Sequence, residues 1–134
     1  RAGFIFVDRK NNDSAIRSMN YLLEDIKKIP RSVGIFPEGT RSKDGNFLQF
    51  KKGAAIFGIN TKIPIVPIAI SGTYDWSQKK IFDFSQSIIT FEFGEPIICK
   101  NLTYDDRDSL TKRIKDSIKG MKIDWDEIFT KKQL

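Results

Sequence analysis

Histidine is absent from this chain of 134 residues. Nothing in it therefore titrates near neutrality by default. A serine–histidine triad is also excluded, although Ser42 and Ser71 each follow an apolar run. Cysteine occurs once, as Cys99. An internal disulfide is ruled out, and with no histidine available neither is a structural metal site assembled. A reducing, intracellular setting fits this usage. Long apolar runs are missing too: the most apolar stretch, Ile63 to Ile70, is broken by two prolines. It falls well short of the roughly 18 to 20 residues that a spanning helix needs. No P-loop and no G-x-G-x-x-G pattern is present. No signal peptide is visible, although the sequence opens at Arg1-Ala2-Gly3 without an initiator Met.

What is present is an ordinary globular composition with a basic excess. Hydrophobic residues make up 40% and charged residues 30%, and 23 basic against 17 acidic side chains give a formal charge of +6. The excess favours an anionic partner: nucleic acid, an acidic membrane surface or a phosphorylated substrate. The alternative is a set of merely solvated charges. No recognised nucleic-acid-binding fold accompanies the charge, so nucleic acid is not expected.

Periodicity predicts alternating strands and helices, hence an α/β architecture. Gly3 to Val7 and Ser32 to Phe36 read as buried strands, and Ile63 to Ile70 as a third. Ser87 to Phe93 alternates as a half-covered strand. Between the first two, Ile16, Met19, Leu22, Leu23, Ile26 and Ile29 recur at helical spacing after the capping chemistry of Asn11 to Ser14. Lys51 to Asn60 reads as a short helix of small residues. Thr103 to Lys119 reads as a longer one with Leu110, Ile114 and Ile118 on a single face. The tail from Met121 contains Trp125, Ile128 and Phe129 at a spacing compatible with a further helical stretch.

The candidate chemistry gathers around Phe36-Pro37-Glu38-Gly39-Thr40-Arg41-Ser42, on the loop after the second strand. Strand-end loops are where open α/β sheets bind ligands. Arg9 follows the first strand and Arg41 the second. A crossover helix between parallel strands puts both loops on one sheet edge, where two guanidiniums suit a phosphomonoester. Arg9 has the competing option of pairing with Asp8. Lys51 and Lys52 would stand at a helix start, where a bound anion offsets the unfavourable dipole; otherwise they extend into water. Glu38 has two readings, binding a substrate hydroxyl or holding neighbouring backbone N–H groups and an arginine. Pro37 and Gly39 are most simply turn residues.

In order, these segments resemble the glycerolipid acyltransferase family, specifically the bacterial 1-acyl-glycerol-3-phosphate acyltransferases that make phosphatidic acid. Gly3 to Arg9 (GFIFVDR) is similar to the family's second block, Phe36 to Ser42 matches the third in full, and Val66 to Ile70 is similar to the fourth. Phe47 to Ala54 and Phe93 to Ile97 extend the likeness, which runs from Gly3 to about Ile118. The resemblance implies a glycerol-3-phosphate acyltransferase-like fold, a largely parallel or mixed sheet flanked by helices and incomplete at the N-terminus. Residues 1–120 would be the C-terminal part of a single acyltransferase domain, and 121–134 a tail. It implies substrate-binding roles for Arg9, Glu38, Gly39, Thr40, Arg41 and Lys51, with lysophosphatidic acid as acceptor. Acyl-acyl carrier protein or acyl-CoA would be the donor, with no cofactor or metal. It also implies location at the cytoplasmic side of the cell membrane, peripheral or anchored through a preceding region.

The family's first block, a His-x4-Asp pattern that supplies the base, has no counterpart here, so no catalytic residue is assigned and this chain alone is expected to be inactive. The competing reading is a non-catalytic module that docks on anionic lipid through its basic loops and through Phe47, Phe50, Tyr74 and Trp76.

Overall fold

A computed structural model describes residues 12–29, 32–73 and 89–121. The first expected strand, Arg9, Tyr74, Trp76 and the tail beyond Met121 lie outside the described residues.

The first helix, α1, spans Asn12–Lys28. It packs against α2, and Ile26 from its apolar stripe is buried. Residues 32–36, expected as a strand, pair with no strand among the described residues. Helix α2 spans Gly53–Thr61 and buries Ala54, Ala55, Phe57, Gly58 and Ile59. Its small residues permit close approach: a Cβ on Gly58 would stand 2.6 Å from Ile65 Cδ1 and 3.0 Å from Cys99 Sγ. Lys62 ends the helix in the left-handed region (φ 59°), its N–H donating to the Gly58 carbonyl. Its ammonium reaches the Leu102 carbonyl at 2.6 Å.

Strand β1 (Ile68–Ser71) pairs antiparallel with β2 (Thr90–Phe93), with Ile68 opposite Phe93 and Ile70 opposite Phe91. The pairing continues outward. Gly94 N–H donates to the Pro67 carbonyl, and Ile65 and Ile97 exchange both backbone hydrogen bonds. Pro67 stands immediately before β1, between that bridge and the strand, where its missing N–H costs no ladder bond.

A single 3-10 turn, Tyr104–Asp106, leads into α3 (Arg107–Gly120). Asp106 Oδ2 accepts from the Thr103 N–H at 2.7 Å and the Thr103 hydroxyl at 3.0 Å. These bonds hold its pKa below the ordinary carboxylate value. Helix α3 lays Leu110, Ile114 and Ile118 onto the core as the spacing predicts. That core joins Phe50, Ala54, Ala55, Ile59, Ala69, Ile97 and Cys99 to the same three residues. Burial pushes the Cys99 thiol pKa up, in keeping with a packed and unreactive cysteine.

One expectation is corrected. Ile63 to Ile70 is not covered on both sides: Pro67 and Ala69 are buried, while Val66, Ile68 and Ile70 are exposed. The buried residues alternate with the exposed ones along the run, so one side of it meets the core, where α3 contacts β1. No helix among the described residues is long and apolar enough to cross a membrane.

Candidate functional site

The segment Phe36 to Arg41 folds as a tight turn. Gly39 N–H donates to the Phe36 carbonyl at 3.1 Å, with Pro37 and Glu38 at the two central positions. Gly39 takes φ +69°, a conformation that L side chains rarely adopt.

A second segment is clamped onto this turn. Lys51 N–H donates to the Pro37 carbonyl at 2.8 Å, and Leu48 N–H donates to Glu38 Oε2 at 2.8 Å. Lys115 of α3 reaches the Leu48 carbonyl at 3.3 Å, and its ammonium lies over the Phe50 ring, 5.5 Å from the centroid. Residues 48–51 are thus fixed between the turn and α3. The loop in between closes on itself through Asp44, which accepts from Ser42 Oγ, Asn46 N and Asn46 Nδ2. Those donors lower its pKa to about 2.

Of the two roles open to Glu38, the structure shows it holding a backbone N–H. Its partner Leu48 was invisible to sequence reasoning, because any residue offers the same amide. Lys51 is brought to the turn as expected. Its side chain crosses the bare face of Gly39, so that a Cβ there would meet Lys51 Cε at 3.2 Å and Nζ at 3.4 Å. Thr40 and Arg41 are exposed at the same turn. Among the described residues, neither Arg41 nor Lys51 meets a carboxylate.

Lys52 behaves differently from either alternative considered for it. Its ammonium pairs with Asp108 at 2.6 Å, joining the start of α2 to the first turn of α3. Phe50, expected as an exposed aromatic, is buried; Phe47 stays partly exposed and meets it edge-on, with centroids 6.3 Å apart. The physical reason is that residues 48–51 are bound at both ends, which turns Phe50 inward beneath Lys115. Phe36 is the most exposed large apolar side chain of the described residues, at 77%.

The turn thus carries Arg41, and the clamped segment brings Lys51 across Gly39, with no carboxylate partner for either among the described residues. The acyltransferase family model matches residues 1–71, and the chain belongs to that family. It is 35% identical to human 1-acyl-sn-glycerol-3-phosphate acyltransferase alpha over 117 residues, 87% of this chain and 41% of that protein. It is also 35% identical to the 1-acyl-sn-glycerol-3-phosphate acyltransferase of Saccharomyces cerevisiae, over 87% of this chain and 39% of that one. In structure it is similar to PlsC, the 1-acyl-sn-glycerophosphate (LPA) acyltransferase from Thermotoga maritima. The TM-score is 0.60 at 26% identity, covering 83% of this chain and 46% of that one. The chain spans about two-fifths of the length of the relatives it matches.

Proposed function

We propose that this chain is the acceptor-binding part of an enzyme that moves an acyl group from a thioester to the free hydroxyl of 1-acyl-glycerol-3-phosphate, giving phosphatidic acid for phospholipid biosynthesis. The observation that carries this reading is the pair Arg41 and Lys51. Both are cations at the Phe36–Arg41 turn, and neither is neutralised by a described carboxylate. Membership of the acyltransferase family supplies the reaction type.

In that reaction the acceptor oxygen attacks the thioester carbonyl, the C–S bond breaks, and the thiol leaves with the hydroxyl proton. The chain holds no histidine, so its part is to bind and orient the acceptor, and proton transfer falls to a base outside these residues. Arg41 offers paired N–H donors to the phosphate and Lys51 a compact positive charge. Glu38 keeps the two segments in register, and Gly39 and Thr40 shape the glycerol side. Arg9 joins the phosphate group in this reading. Acyl-acyl carrier protein or acyl-CoA is the donor. The exposed Phe36 beside the cations suits a membrane surface at the cytoplasmic face, where the acceptor resides.

The test is Arg41→Ala in the complete enzyme. A charge-assisted contact of about 1.5 to 3 kcal/mol predicts a rise in the KM for lysophosphatidic acid of roughly tenfold to a hundredfold. Unchanged acceptor kinetics would remove Arg41 from the site.

A further inference from the structure

The geometry points to Gly39 as a positioning residue that acts through its missing side chain: the bare Cα is the passage by which Lys51 delivers its ammonium to the turn. This inference rests on the phosphate-binding reading above and adds to it a reason for glycine that is independent of backbone freedom.

Two observations converge. The main chain of Lys51 is fixed against the turn by its N–H bond to Pro37 and, three residues earlier, by the Leu48–Glu38 bond. Its side chain therefore starts from a set point. From there Cδ, Cε and Nζ pass 3.2 to 3.4 Å from where a Gly39 Cβ would stand. Contacts that short require the lysine stem to give by a few tenths of an ångström, and on this inference that shift carries the ammonium out of line with the phosphate. Glycine at this position then serves two separate needs, the left-handed φ of +69° and the clearance for Lys51.

The two needs can be separated because asparagine tolerates the left-handed region far better than alanine, yet carries the same Cβ. Binding of glycerol 3-phosphate to the full chain, followed by 31P NMR at low salt, supplies the readout. Lys51→Met is expected to weaken binding about tenfold. Gly39→Ala and Gly39→Asn are expected to weaken it to a similar degree. Gly39→Asn combined with Lys51→Met is expected to be no worse than Lys51→Met alone. Near-normal binding by Gly39→Asn would overturn the inference, since backbone conformation would then be the whole requirement. Additive losses in the double variant would overturn it as well.

The unmutated chain gives a check that needs no variant to fold: a nuclear Overhauser effect between Gly39 Hα and Lys51 Hε, whose absence would contradict the path. If Lys51→Met binds normally while Arg41→Ala does not, the inference about Gly39 fails and the phosphate site stands. If Arg41→Ala and Lys51→Met both bind as the parent does, or the parent does not bind, the phosphate-site reading fails and takes the inference with it.

Discussion

The two sides of the β1–β2 pair differ in the opposite sense from what apolar content alone suggests. The inward side carries Pro67 and Ala69, both buried. The outward side carries Ile68 opposite Phe93 and Ile70 opposite Phe91, all exposed, with Phe93 at 68%. The most exposed large side chains of the pair are thus on the open side, while Ile65, Pro67 and Ala69 turn toward the core. An antiparallel pair with one solvated face ordinarily shows polar residues outward. Here the outward face is the apolar one, while the inward face sets Ala69 against Glu92 and Ser71 against Thr90.

The comparison can be sharpened from the inside first. Leu110→Ala removes a completely buried side chain where α3 meets the core. It is expected to cost about 2 to 5 kcal/mol, read as a lowered urea midpoint. On the open face, Phe93→Ala should cost less than about 1 kcal/mol by the same measurement, because the side chain is 68% exposed and sits opposite Ile68 in the pair. A loss at Phe93 as large as that at Leu110 would break the distinction between the faces.

The smallest effect should have the opposite sign. Thr90, in the strand edge next to Phe91, encloses a hydroxyl with no hydrogen-bond partner. Thr90→Val keeps the shape and removes an unsatisfied group, so a gain of up to about 1 kcal/mol is expected. A clear loss of stability would mean that the hydroxyl is satisfied in solution.

Much of the fold was legible before any coordinates. Leu110, Ile114 and Ile118 recur at helical spacing and meet the core as read; Ala54, Ala55 and Ile59 mark a short helix that is buried nearly all round. The half-covered strand at Thr90–Phe93 was read from its alternation. The orientation of β1 was not legible, because Ile63 to Ile70 is apolar at nearly every position and alternation then carries no direction. Phe50 was misread for a related reason: an aromatic beside two lysines looks solvated until the segment is tied to the turn and to α3.

At the site, the residue types were legible and their mutual arrangement was not. Arg41 and Lys51 stood out as cations near a Pro-Glu-Gly turn. Lys52 stood beside Lys51 with equal claim, and only its ion pair with Asp108 separates the two. Glu38 offered two roles on paper; a backbone amide ten residues later chose between them.

By itself the sequence determined the family blocks, the helical faces and the want of a histidine base, since these follow from residue identity and short-range spacing. Tertiary structure alone decided which side of β1 turns inward, which of Lys51 and Lys52 pairs with Asp108, and that Gly39 lies beneath Lys51. Those outcomes depend on steric fit and on backbone hydrogen bonds between distant segments, and backbone groups are the same whatever side chain they carry.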